Sequence, residues 1–447
     1  MSSPHLLWYG DDFTGAADTL ATLAASGWRA MLFRGPPSGE DLANAATALG
    51  GGLDAIGIAG IARSLAPGAL ADELEPVAEC FLRSGCRILH FKICSTFDSS
   101  PDVGNIASAI RILRRVTPNR FVPIAGGQPS LGRYCAFGTL FAATRAGGDV
   151  VRIDRHPTMS KHPVTPMNEA DLRQHLGLQG LENIGAWHLP AWKLSPDGQQ
   201  AALQALVDQG SEAVLFDVTE TAHLVQLGAL IRAQAAHKPV LAVGASSVAQ
   251  ALSLESDGAP CATASNAEVG LAPRFPRRGP VLILAGSLSP VTAAQVEHAT
   301  DYAVLRLDAQ ALSIGPQGCF DAHDRIVSLL AEGANVLAVT APEPGRPVAT
   351  GVNTTLAYAT RDWLISLLAR LVKEQISLRR VGIAGGDTAS LAVRALPVWG
   401  LSYVGSLGPG TPIIRLHAGS PHLDGLELML KGGQMGSLDI FNRFSSP

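Results

Sequence analysis

Short apolar runs and helical patterns take turns along almost the whole chain, and that alternation limits the folds open to it. Leu6–Tyr9, Ala55–Ile58, Ile88–Ile93, Phe121–Ile124, Val150–Ile153, Ala213–Phe216 and Val240–Val243 have the length and composition of buried strands. Ala69–Arg83, Val103–Arg115, Ala170–Leu176 and Gln199–Gln209 lie between them and carry apolar residues at helical spacing. Continuously apolar strands separated by helices predict a mostly parallel sheet covered by helices. The 47 glycines and 29 prolines are dispersed at the ends of these runs, as many short strand–helix turns require.

With 447 residues the chain exceeds one ordinary domain. Its character changes over residues 256–280, where Pro273, Pro276 and Pro280 fall within nine residues and preclude a continuous helix. A new series then starts: Val281–Leu284 into a helix from Pro290, Ala303–Leu307, Val336–Val339, a helix over Arg361–Glu374, and Val381–Ala384 into a helix from Asp387. The expected organisation is a domain over 1–255, a linker over 256–280 and a second domain over 281–447. Each is an α/β domain with a mostly parallel sheet flanked by helices.

Hydrophobic residues make up 47% of the chain, enough for a core in each half, and the net charge is 34 − 38 = −4. No long basic run offers a nucleic-acid surface. No apolar run approaches a membrane span, and no signal peptide precedes Asp11. The six cysteines form no C-x-x-C pair and read as reduced thiols, so the expected location is the cytoplasm.

Chemistry concentrates at strand ends. Leu6–Tyr9 runs into Gly10-Asp11-Asp12-Phe13-Thr14-Gly15 and then a helix from Ala16 to Ser26 closed by Gly27. Open α/β sheets place ligands at such a position. Two carboxylates there can accept hydrogen bonds from hydroxyls or hold a divalent cation, whereas helix capping needs only one. In the second half, Gly286-Ser287-Leu288-Ser289 and Gly385-Gly386-Asp387-Thr388 each join a strand to a helix, and Lys431-Gly432-Gly433-Gln434-Met435-Gly436 adds a third glycine turn. Glycine admits close backbone approach and the helix start favours an anion, so the three together suit phosphate. The chain has neither G-x-x-x-x-G-K-[ST] nor a G-x-G-x-x-G after a strand, which excludes a P-loop and counts against a dinucleotide-binding dehydrogenase.

These blocks, with Lys92-Ile93-Cys94-Ser95-Thr96-Phe97-Asp98-Ser99-Ser100 and His162-Pro163-Val164-Thr165-Pro166-Met167, occur in one order over nearly the whole chain. The ordered set resembles the four-carbon acid sugar kinases, which include 3-oxo-tetronate, threonate and erythronate kinases. The resemblance implies transfer of the γ-phosphoryl of ATP, with Mg²⁺, to a hydroxyl of a small sugar acid, in a cleft between two domains. It implies nucleotide contacts from Ser287, Gly385, Gly386, Asp387, Thr388, Gly432 and Gly433. Asp11 and Asp12 are the catalytic candidates, with a slight preference for Asp12 but roles not individually assignable from sequence. Thr14, Lys92, Ser95, Asp98, Gln128, Arg133 and His162 are the substrate-binding candidates. Among these, Arg133 suits a carboxylate best because its planar fork binds bidentately. His156 and His162 are six apart without an acidic pair and do not form a zinc pattern.

3-Oxo-tetronate is the leading acceptor, with threonate, erythronate and the branched 3-oxo-isoapionate as alternatives. A non-catalytic sugar-acid binding protein is the reading from a different class, and it leaves the glycine turns without a purpose. Expected partners are the acid and ATP, not nucleic acid or membrane. Metal ligands and homo-oligomerisation are left open.

Overall fold

The structure is a computed structural model and describes residues 4–145, 147–162, 164–254, 278–287, 289–314, 320–340 and 352–446. The chain divides into two compact units, Met1–Val269 and Gly270–Pro447. Of the expected linker, only 278–280 belongs to the described residues.

The first unit contains strands β1 (Leu6–Gly10), β2 (Ala30–Phe33), β3 (Ala55–Ala59), β4 (Ile88–Lys92), β5 (Pro123–Ala125), β6 (Arg133–Ala136), β7 (Thr139–Ala143), β8 (Val150–Arg152), β9 (Ile184–Trp187), β10 (Ala213–Phe216) and β11 (Val240–Gly244). Its helices are α1 (Phe13–Ala25), α2 (Gly39–Ala48), α3 (Leu70–Ser84), α4 (Ile106–Leu113), α5 (Leu172–Leu178), α6 (Pro196–Asp208), α7 (Thr221–His237) and α8 (Ser247–Ser253). The main sheet runs β2-β3-β1-β4-β11-β5-β10-β9, with all of these pairings parallel. β1 is buried along its whole length between β3 and β4. The chain leaves β1 for β2 and β3 on one side, then crosses to β4 on the other. The carboxyl end of β1 is therefore a topological switch point, where open α/β sheets form a crevice.

Val150–Ile153 was expected in the parallel sheet, but β8 belongs to a separate antiparallel sheet, β6-β7-β8. The turn after β7 is too short for a crossover helix, and Val150 is 48% exposed. β2 and β9 were not read from the sequence. Each has only four residues, and Ile184-Gly185-Ala186-Trp187 has small residues at its centre.

The second unit contains β12 (Val281–Ala285), β13 (Ala303–Arg306), β14 (Val336–Val339), β15 (Arg380–Ala384), β16 (Gly400–Ser406), β17 (Pro412–His417) and β18 (Glu427–Lys431). Its helices are α9 (Pro290–Glu297), α10 (Ala309–Ile314), α11 (Phe320–Ala331), α12 (Val352–Lys373), α13 (Gly386–Ala395) and α14 (Ile440–Ser445). The strands run β13-β14-β12-β15-β18-β17-β16. The first five are mutually parallel, and β17 and β16 are added by antiparallel pairing. Ile283, Leu337, Val339 and Met429 pack with Ile440, Phe441 and Phe444 in a buried cluster. α12 begins nine residues before the expected start, through Asn353-Thr354-Thr355, whose helix propensity is low. Among the described residues no helix is long and apolar enough to cross a membrane.

Candidate active site

β1 delivers Asp11 and Asp12 to the switch point, 4% and 6% exposed. The Asp11 amide donates to the Lys92 carbonyl at 2.9 Å, which fixes the pair beside the end of β4. Asp12 caps α1: its Oδ1 accepts from the Gly15 amide at 2.8 Å, and the Thr14 hydroxyl donates to its Oδ2. Capping therefore accounts for part of Asp12 and for nothing of Asp11.

Both carboxylates converge on Arg63. Its Nε and Nη2 donate to Asp11 at 3.1 and 2.6 Å, and its Nη1 and Nη2 donate to Asp12 at 3.0 and 3.1 Å. The Arg63 turn follows β3, the parallel neighbour of β1. The Arg63 amide donates to the Asp11 carbonyl at 3.1 Å. The preceding Ala62 amide donates to the Tyr9 hydroxyl at 3.2 Å, and that hydroxyl donates to Glu73 at 2.9 Å. Gly60 makes room for this arrangement, since a Cβ there would lie 1.9 Å from the Tyr9 oxygen. Sequence reading missed Arg63 because Ile61-Ala62-Arg63-Ser64 carries no glycine pair or carboxylate. Its one signal was a cation in the turn after a strand that pairs with β1.

Lys92 is buried against the same turn and donates to the Ile93 carbonyl at 2.8 Å. A Cβ on Gly15 would lie 2.6 Å from Lys92 Nζ and 2.5 Å from Asp12 Oδ1, so the glycine admits both groups. Burial raises the Asp11 pKa, with the Asp12 charge adding to it, against the pull of Arg63. Burial also opposes the Asp12 charge, but Arg63, Lys92 and the bonds from Thr14 and Gly15 outweigh it and hold Asp12 low.

The loop after β4 carries Ser95 and Asp98. Thr96 Oγ1 donates to Asp98 Oδ1 at 2.5 Å, and Cys94 Sγ lies 3.0 Å from Thr96 Oγ1. Burial and the Asp98 charge push the Cys94 thiol up to about 11, against Arg63 and Lys92. Phe97 is left-handed at φ 58°, a costly conformation for a bulky residue. His175 Nε2 braces it, 3.2 Å from the Phe97 carbonyl and 2.9 Å from the Ser99 hydroxyl, and Gln179 donates to that hydroxyl at 2.7 Å. Neither His175 nor Gln179 was a sequence candidate.

Arg133 opens β6, where Nη1 donates to the Leu131 carbonyl at 2.7 Å. Its Nε is buried without a hydrogen bond among the described residues. Burial lowers the Arg133 pKa against the nearby Cys94 and Asp98, which places this guanidinium by the same loop. Gln128 closes the intervening turn through backbone bonds to Arg133 at 2.9 and 3.2 Å. Its buried Oε1 has no partner among the described residues. His162 is bound within its own loop, Nδ1 accepting from the Thr165 amide at 3.1 Å. No hydrogen bond or ion pair among the described residues ties it to the Asp11–Lys92 cluster.

In the second unit β12, β15 and β18 are neighbours, with Ala285 opposite Ala384 and Ala384 opposite Lys431. That register brings all three glycine turns to one edge. The Gly286 and Ser287 amides donate to the Ala384 carbonyl at 2.9 and 3.1 Å, and the Gly385 amide donates to the Lys431 carbonyl at 2.8 Å. Gly385 has φ 135°, and α13 starts there without a side-chain cap from its N-cap residue, a helix start suited to an anion. A Cβ on Gly286 would lie 2.8 Å from Thr388 Oγ1, and one on Gly433 2.4 Å from Ser287 Oγ. Side chains at these positions would fill the cradle, which fits a phosphate chain. Gly386 opens α13 beside Gly385, and Gly432 precedes Gly433 in the third turn. The Asp387 side chain lies outside the described residues.

Residues 6–252 match the sugar-binding N-terminal domain family, and residues 282–441 match the nucleotide-binding C-terminal domain family. The chain belongs to the four-carbon acid sugar kinase family. A 3-oxo-isoapionate kinase of Paraburkholderia graminis is 34% identical over 98% of this chain and 93% of its own length. A 3-oxo-tetronate kinase of Methylobacterium radiotolerans is 32% identical over 97% of this chain and 96% of its own. Solved structures from Salmonella typhimurium LT2 and Haemophilus influenzae share the fold, with TM-scores of 0.76 and 0.68 at 22% and 24% identity, over 98% of every chain. In this sugar-acid kinase the sugar-binding match contains every acid-side candidate from Asp11 to His162. The nucleotide-binding match contains Ser287 to Gly433.

Proposed function

We propose that this kinase transfers the γ-phosphoryl of ATP to a hydroxyl of a 3-oxo sugar acid, which residues 1–255 bind while residues 281–447 bind the nucleotide. The observation that carries the reading is the unequal carboxylate pair at the end of β1, flanked by Arg63 and Lys92. Phosphoryl transfer rests on positioning and charge, with a carboxylate accepting the proton of the attacking hydroxyl. Asp11 suits that role, because burial raises its proton affinity. Asp12 stays anionic and orients the acceptor, and the unpaired Nε of Arg133 and the Lys92 ammonium serve the substrate carboxylate.

Arg63 occupies oxygens of both carboxylates, and among the described residues no three His, Cys, Asp or Glu converge on one point. Mg²⁺ would accompany the nucleotide phosphates, its usual habit, where it would supply charge neutralisation. 3-Oxo-tetronate is the first acceptor to test. 3-Oxo-isoapionate is the second reading, favoured by the 34% identity to the Paraburkholderia kinase of that name. ADP release measured with ATP, Mg²⁺ and a panel of four- and five-carbon sugar acids decides it. Turnover on either 3-oxo acid supports the reading, and turnover on none of the panel overturns it.

A further inference from the structure

The second unit holds a buried ammonium that the reaction above does not use. Lys431, the last residue of β18, is 0% exposed. Its Nζ donates to the Thr292 hydroxyl at 3.0 Å and to the Gly432 and Met435 carbonyls at 3.1 and 3.2 Å. Burial alone lowers its pKa to about 7, with no carboxylate among the described residues offsetting the charge. An ammonium taken out of water is costly unless its donors are satisfied, and here oxygen dipoles satisfy them.

Two residues of α9 treat the same loop in the same way. Thr292, which accepts from Lys431, donates to the Gly433 carbonyl at 3.0 Å. Gln295, one turn further on, donates through Nε2 to the carbonyls of Met435, Gly436 and Ser437 at 3.1, 3.1 and 3.0 Å. The carbonyls of residues 432, 433, 435, 436 and 437 are thus drawn toward Lys431 and α9. In a trans peptide the C=O and N–H point in opposite directions. The amides of Gly433, Gln434 and Gly436 are therefore turned away from Lys431, on a loop whose Gly433 already sits against Ser287.

We propose that Lys431 is the internal cation of the nucleotide loop: its ammonium gathers the loop carbonyls, so that the loop amides face the phosphates. Lys431 is a positioning residue in this scheme and does not touch the reacting atoms. The inference rests on the reading that residues 281–447 bind ATP. It adds the claim that the charge, rather than the bulk of the side chain, sets the loop.

The experiment measures ADP binding to the full chain by calorimetry, together with KM for ATP and for the acid. Lys431→Met keeps the length and removes the charge. It should weaken ADP at least tenfold and raise KM for ATP in step, with KM for the acid unchanged. Lys431→Ala leaves a gap of the length of propylammonium. Adding propylammonium should restore ADP affinity, and the isosteric but uncharged propanol should not. Thr292→Val, a mild change at the same contact, should weaken ADP in the same direction and covers the case in which Lys431→Met fails to fold. Folded variants that bind ADP within twofold of wild type, or rescue by propanol as good as by propylammonium, overturn the role of Lys431. Absence of ADP binding in the wild type overturns the ATP reading itself, so the two failures are distinct.

Discussion

Asp11 and Asp12 share one guanidinium, that of Arg63, yet their proton affinities are driven in opposite directions. The difference lies in the other partners of each. The Lys92 charge acts on both, but Asp12 also accepts from Thr14 and the Gly15 amide. Asp11 answers its own burial with Arg63 foremost and has the Asp12 charge against it. With Asp11 as the proposed proton acceptor, Asp11→Asn should lower kcat by about 10²–10⁴-fold, the usual worth of a positioned base. The raised pKa fixes the pH sign: activity should fall as pH drops through a value above the ordinary 3.8 of an aspartate. Asp11→Asn should erase that acid limb. A pH profile of kcat with the same limb in wild type and Asp11→Asn rejects the assignment.

Arg63 carries the electrostatic cost of the pair. Arg63→Met leaves two adjacent buried carboxylates without their shared cation, and breaking a buried pair this way costs about 3–5 kcal/mol. Asp12 has its folded pKa lowered, so it adds stability above the unfolded value, which is lost as pH falls through the folded value. The deficit of Arg63→Met should thus be largest near neutral pH and shrink as the carboxylates protonate in acid. Denaturant unfolding of both proteins across the acid range checks this, and a deficit independent of pH contradicts it.

The alternation of apolar runs and helices made the α/β class legible, and Ala213–Phe216 and Val336–Val339 even have the expected ends. Those strands are buried on both faces, so their composition alone marks them. β8 was misread and β17 missed because antiparallel strands depend on the turns beside them, as at Gly408-Pro409-Gly410, and less on their own apolar content. The acidic pair was legible because two neighbouring carboxylates at a strand end exceed the needs of capping. Arg63 and His175 were not, because each reaches its partners only through the fold: one from the turn after β3, the other from α5 onto the loop after β4.

Arg133 has one arm engaged and one free. Its Nη1 holds the Leu131 carbonyl while its Nε is buried without a partner among the described residues. A substrate carboxylate would complete the fork, which a lysine cannot reproduce. Arg133→Lys should raise KM for the sugar acid about tenfold or more, roughly 1.4 kcal/mol of binding, while KM for ATP stays put. Steady-state kinetics with each substrate varied in turn tests the split, and equal changes in both constants remove Arg133 from the acid site.

Lys431 should show itself through two pH dependences of opposite sign. Its folded pKa of about 7 lies below the ordinary 10.5, so between these values the unfolded chain holds a proton that the folded chain lacks. Stability from this group therefore rises with pH across that window. The loop meanwhile loses its ammonium above about pH 7, so affinity for ADP should fall as stability rises. Comparison with Lys431→Met isolates the residue from other titrating groups. The difference in Tm between wild type and variant should grow in favour of wild type on raising the pH, while their difference in ADP affinity should narrow. Differences in Tm and in affinity that move together with pH, or that stay flat, are incompatible with a buried, titrating Lys431 that organises the nucleotide loop.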